Sequence, residues 1–153
     1  MALTSTPPRW RARLACTALG LLLTCNAWAV LGGDAASVTS DQQTWTATDT
    51  QSTVAVATLH SQLLPNGVTV RQYLDSSGRV FAVAWSGPVL PDFARLLGAY
   101  YPSYSDAIRQ QARGVHVQSA TLVIESGGMM RAFVGRAYLP NRLPAGFTAQ
   151  DIQ

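Results

Sequence analysis

Residues 80–85, Val-Phe-Ala-Val-Ala-Trp, carry an apolar side chain at every position. Successive side chains of a strand point to opposite faces, so this one needs cover on both. Phe81, Val83 and Trp85 are expected on one side and Val80, Ala82 and Ala84 on the other. The preceding segment differs: from Gly67 to Leu74, Val68, Val70 and Leu74 alternate with Thr69, Arg71 and Tyr73, the pattern of a half-buried strand. Asp75-Ser76-Ser77-Gly78 links the two as a hairpin, and Pro65-Asn66-Gly67 forms the turn before them. A strand buried on two faces beside one buried on a single face predicts the interior of an antiparallel sheet with a further layer packed on it.

The flanking segments complete that layer. Trp45 and Ala47, then Val54 and Val56 with Thr53 and Thr58 opposite, predict one or two strands ending near His60. Ser86-Gly87-Pro88 breaks the two-faced strand, and Pro91-Asp92 suits the first turn of a helix. Phe93, Leu96, Leu97, Tyr100 and Tyr101 recur at helical spacing until Pro102. Ser105 and Gly114 bracket a second, shorter helix as N-cap and terminator. One long hairpin is expected over His116–Glu125 and Met129–Tyr138 around Ser126-Gly127-Gly128, pairing Ile124 with Met130, Leu122 with Ala132 and Ala120 with Val134. Pro140, Pro144 and Gly146 mark a C-terminal surface wrap. The order of elements predicts an α+β fold, an antiparallel β-sheet of about five to six strands with one or two helices packed on one face.

The N-terminus reads as an export signal spanning residues 1–29. Arg9, Arg11 and Arg13 precede the uncharged run from Leu14 to Thr24, and Ala27-Trp28-Ala29 fits a signal-peptidase site with cleavage after Ala29. Two alternatives stand beside it. Leu22-Leu23-Thr24-Cys25 resembles a lipobox in which Cys25 is lipidated, although Thr24 replaces the usual smaller residue; and the apolar run extended to Leu31 approaches the lower limit of a spanning helix. Residues 30–43, small and polar without a sustained period, read as a flexible lead-in, and 44–153 as a single domain.

Removal of the leader takes both cysteines, Cys16 and Cys25, and leaves 124 residues without disulfide or zinc-thiolate chemistry. It also takes three of the eleven arginines behind the net charge of +3; from residue 30 onward eight arginines face eight acidic residues, and lysine is absent throughout. A neutral domain gives no support for a nucleic-acid groove or a polybasic membrane surface.

Several runs carry a family resemblance: Phe81-Ala82-Val83-Ala84-Trp85-Ser86-Gly87-Pro88, then Pro91 and Leu96-Leu97-Gly98-Ala99-Tyr100, then Ser126-Gly127-Gly128, and Arg131-Ala132-Phe133-Val134-Gly135-Arg136-Ala137-Tyr138-Leu139-Pro140. Together they resemble the bacterial family catalogued as domain of unknown function 2844, from about Gly32 to Ile152. The resemblance implies an exported protein of Gram-negative bacteria. It supplies no catalytic residues, because its motifs are apolar and turn residues.

Chemistry-bearing residues are sparse. His60 and His116 are the only histidines and Glu125 the only glutamate; their spacing forms no metal motif, and no metal or cofactor is expected. A Ser126–His116–Asp triad would place serine and histidine some 30 Å apart along the expected hairpin, at about 3.3 Å per residue. Asp75, Asp92, Asp106 and Glu125 read as turn, helix-start and hairpin-end residues rather than a glycosidase pair. Arg131 and Arg136 are expected to pair with Glu125 and Gln118.

A surface is therefore the better candidate. Tyr101 and Tyr104 flank the helix break, and Arg109 and Arg113 lie four apart beyond it, a face suited to an envelope protein or surface polymer. The expected function is that of a non-enzymatic periplasmic or extracellular binding or accessory domain, without membrane insertion after cleavage. The alternatives are a small hydrolase of envelope polymer, using His116 or His60 with an Asp, and an inhibitor or chaperone-like partner of another secreted protein.

Overall fold

The computed structural model describes residues 31–111 and 114–153. The leader with Cys25, Ala27 and Ala29, and also Arg113, lie outside these residues. Seven strands form one antiparallel sheet: β1 (Thr48–Val54), β2 (Ala57–Leu63), β3 (Thr69–Leu74), β4 (Val80–Gly87), β5 (Val115–Gln118), β6 (Val123–Met129) and β7 (Ala132–Tyr138). Their spatial order is β1-β2-β3-β4-β7-β6-β5. The fold is α+β with an antiparallel sheet, and the sheet is larger than the expected five to six strands. Helix α1 (Ala35–Trp45) precedes β1, and a short helix, α2 (Phe93–Leu97), and α3 (Tyr101–Gln110) lie between β4 and β5.

Strand β4 is buried on both faces, and two separate clusters cover it. Val80, Val83 and Trp85 join Phe93, Leu96, Leu97 and Tyr104 on the helical side. Phe81, Ala82 and Ala84 join Tyr73, Phe147 and Ile152 on the other. Val80 and Phe81 thus each lie on the face opposite to the one the alternation predicts. The pairing of β3 with β4 steps from Tyr73↔Ala82 to Leu74↔Val80, and this bulge turns Phe81 over. There its ring meets Phe147 edge-on at 5.0 Å.

The C-terminal wrap is the second cover. Its tip is held by Tyr73, whose hydroxyl accepts from the Gln153 amide at 3.1 Å and donates to the Gln153 carbonyl at 3.2 Å.

Three expectations are corrected. Residues 30–43 are not a flexible lead-in: most of them belong to α1, and Trp45 ends that helix instead of opening a strand. Asp34 accepts from the Ser37 amide at 3.0 Å as its N-cap, and Leu31 and Val38 enter the core. Gly32 and Gly33 bond to both main-chain groups of Val80. The helix hides from a search for periodicity because its buried positions are Ser37, Val38 and Asp41, only one of them apolar.

Pro102 does not stop a helix either. It occupies the first turn of α3, where a missing N–H is harmless, and the chain bends earlier at Gly98, whose φ is 48°.

The expected long hairpin is divided. β6 and β7 turn at Met130-Arg131, with Arg131 at a left-handed φ of 65°, and Met129 pairs with Ala132. Ser126-Gly127-Gly128 therefore lies within β6. Gly128 serves close strand approach, since a Cβ there would fall 2.7 Å from Phe133 Cα. β5 is a separate edge strand in which Val115 pairs with Ser126 and His116 with Glu125. The expected 30 Å between His116 and Ser126 is overturned: they lie on adjacent strands, one register step apart.

Candidate functional site

Of the expected binding residues Tyr101, Tyr104 and Arg109, the structure withdraws Tyr104 from the surface. Tyr104 is only 3% exposed. Its ring packs 4.3 Å from that of Phe93, and burial pushes its phenol above the usual tyrosine value against an opposing hydrogen bond with Ser126. Tyr104 is thus a core residue. Tyr101 is exposed, one turn away. Arg109 stands 3.5 Å from Asp106, and both are open to solvent. That pair contributes little to stability and leaves the arginine accessible.

An apolar end of the molecule lies beside it. A cleft of about 240 Å³ opens between α3 and the β6–β7 hairpin, walled by Leu90, Ile108 and Phe133 and floored by Gly127 and Gly128. Its polar lining is confined to Tyr104, Gln111 and Ser126, and no charged side chain borders it among the described residues. Phe133 also borders a second, more open cleft with Pro88, Arg131 and Val134. At the tip Met129 and Met130 are 81% and 93% exposed, and Val89, Leu90, Ile108 and Val134 are exposed as well. Tyr101 and Ile108 are seven apart on α3 and share one helical stripe. The sequence reading missed this end because it placed Met129 and Met130 at the start of a paired strand. The available signal was the adjacent methionine pair before Arg131, the bulky residues of a hairpin tip.

The opposite face holds a polar row. His116, Glu125 and Arg136 stand side by side on β5, β6 and β7. Arg136 grips one carboxylate oxygen of Glu125 through both Nε and Nη2 at 2.7 Å, and donates from Nη1 to the Ala149 carbonyl. Arg136 therefore pairs with Glu125, not with Gln118. His116 Nδ1 lies 3.9 Å from the other oxygen, beyond hydrogen-bond reach. The row lines a groove of about 460 Å³ roofed by Ile152 and Gln153.

His60 makes the tighter contact, Nδ1 to Asp49 Oδ2 at 2.9 Å, between β2 and β1. Neighbouring Gln72 donates to Gln62 at 3.4 Å, and Gln62 to the Val38 carbonyl at 3.1 Å, so this cluster fastens α1 to the sheet.

Among the described residues no three His, Cys, Asp or Glu gather as a metal site. No helix among them is long and apolar enough to cross a membrane. One family model, described as a protein of unknown function (DUF2844), matches residues 27–152. No curated protein and no solved structure matches the chain.

Proposed function

The chain belongs to the DUF2844 family, a kinship that carries no reaction with it, and on that premise we propose that it acts as an exported, non-enzymatic domain that docks onto a protein through its apolar end. The observation that carries this reading is the cleft walled by Leu90, Ile108 and Phe133, which no charged side chain borders among the described residues, together with the exposed Leu90, Ile108, Met129 and Met130. Exposed apolar patches of this kind mark interaction sites, and methionine adapts its shape to a partner. The lining narrows the class of partner: a polyanion needs cations, which do not border this cleft among the described residues, whereas the apolar walls of Leu90, Ile108 and Phe133 over glycines suit an apolar side chain of a protein. The interaction surface is thus the neighbour of the predicted tyrosine–arginine face, with Tyr101 and Ile108 on one stripe of α3. Export is supported by the arginines, apolar run and Ala-x-Ala site of residues 1–29.

Photo-crosslinking in the cell envelope tests it. A photoreactive residue at Met130 should give a discrete protein adduct that is absent with the label at Thr121 and lost when Leu90→Asp and Ile108→Asp are combined. An adduct indifferent to those substitutions would remove this end from consideration. One sensitive to glycan-degrading enzymes would move the partner to a surface polymer.

The His116–Glu125 pair over its groove favours a second reading, a hydrolase of envelope polymer. For that role His116 would act as general base, and its 3.9 Å separation from Glu125 would have to close on substrate binding. Polymer cleavage by the purified protein that disappears with His116→Ala would establish it.

A further inference from the structure

The two edges of the sheet are treated differently. β5 is four residues long, and the Gln111 amide fills its outer side, accepting from the His116 amide at 2.7 Å and donating to the His116 carbonyl at 2.9 Å. β1 is seven residues long and pairs with β2 residue for residue from Thr48↔Leu63 to Val54↔Ala57, without a bulge. Nothing among the described residues pairs with its outer side. Its sequence, Thr-Asp-Thr-Gln-Ser-Thr-Val, contains no lysine, arginine, proline or glycine. Natural sheets blunt exposed edges with short strands, charges, prolines or bulges, because a row of free N–H and C=O groups is a template for another strand. β5 is protected by its length and its cap. β1 has none of these devices apart from Asp49, whose carboxylate is already turned onto His60.

We infer that β1 is a self-pairing edge, and that a second copy of this chain docks there antiparallel across a two-fold axis through Gln51. A two-fold operation sets the same patch against itself, which here places Thr48 opposite Val54, Asp49 opposite Thr53 and Thr50 opposite Ser52. No like charges meet, and hydroxyl and β-branched side chains face one another, pairs that favour antiparallel strands. The product is one continuous sheet through both copies. The apolar end lies beside β5 and β6, at the other side of the sheet, and stays open for its own partner.

Sedimentation of the purified protein from about 1 to about 100 μM, a span set by ordinary protein–protein affinities, should show a monomer–dimer equilibrium. Thr50→Lys with Ser52→Lys sets lysines against each other twice across the axis. It should weaken dimerisation at least about tenfold while leaving circular dichroism and melting temperature in place. Gln51→Cys should form an intermolecular disulfide between the two introduced thiols, and Leu63→Cys on the neighbouring strand should not. A protein that stays monomeric throughout, with no crosslink from Gln51→Cys, would overturn the inference. So would a dimer that survives the lysine pair, which would assign self-association to another surface. Leu90→Asp with Ile108→Asp should leave this equilibrium unchanged, so failure of apolar-end docking and failure of β1 pairing are read separately.

Discussion

Gly135 of β7 lies directly beneath the indole of Trp85 on β4, its register partner. A Cβ at Gly135 would stand 2.7 Å from Trp85 Cε2 and 2.7 Å from the Glu125 carbonyl oxygen. Trp85 is 1% exposed and packs edge-on against Phe93 at 5.0 Å, so it has no direction in which to retreat. Overpacking a filled core typically destabilises by about 1–3 kcal/mol. Gly135→Ala should fall in or above that range in urea unfolding, and combining it with Trp85→Leu should lose less than the sum of the single effects. An additive pair would show that the glycine serves some purpose other than making room for the ring.

Removing Phe147 should detach the second cover. Its ring packs on Phe81 and on Tyr73, at 5.0 and 5.7 Å, and large-to-small core changes of phenylalanine cost about 3–5 kcal/mol. Arg136→Met should act on the same segment more weakly, because the ion pair with Glu125 is partly exposed and screened. Limited proteolysis distinguishes the wrap from the rest: both variants should be cut first within residues 140–153, Phe147→Ala faster. Cleavage starting instead in α1 would mean that the wrap is not the weakest-held element.

Gln111→Ala removes the amide that caps β5. Both lost bonds are solvent-exposed, so global stability should fall by only about 0.5–1.5 kcal/mol. The local effect is larger: the His116 amide should exchange its hydrogen much faster, while that of Val123 on β6 is unchanged. Equal acceleration at both positions would indicate loss of the whole hairpin rather than of its edge.

What the sequence disclosed, and what it withheld, follows from how far apart the determining residues are. The β3–β4 hairpin was readable because Asp75 and Gly78 make its turn locally and the apolar run over 80–85 marks a strand covered on both faces, but β3 is not the half-buried strand expected, since Tyr73 is buried in the second cluster. The antiparallel α+β class followed from short links. The α1 helix was not readable, since tertiary contacts hold it: Gln62 reaches the Val38 carbonyl, and Asp41 meets Arg95 at 3.5 Å. Register in the last hairpin was lost because glycines at 127 and 128 signal a turn as readily as a tight strand crossing. That single misplacement hid the His116–Glu125–Arg136 row and the exposed methionine tip. Tyr104 was misjudged for a related reason, as a tyrosine buried by packing on Phe93 has no local mark of its burial.

Acid should loosen the β3–β4 turn through Asp75. Burial alone would raise its carboxyl, but hydrogen bonds from the Ser77 hydroxyl and from the Arg79 and Ser77 amides, with the Arg79 charge, together hold it below the usual carboxylate value. A group depressed in the folded state contributes stability that is present above its unfolded value and lost as pH falls through its folded one. The window thus lies below about pH 4, where an unperturbed aspartate begins to protonate. Asp151, held low by the Thr148 hydroxyl and amide, acts in the same direction on the wrap. Asp75→Asn retains an acceptor and deletes the titration. Its deficit against the parent should therefore be greatest at neutral pH and shrink steadily on acidification through that window, in urea midpoints taken at several pH values. A deficit that stays constant with pH would show that the charge on Asp75 has no part in holding the turn.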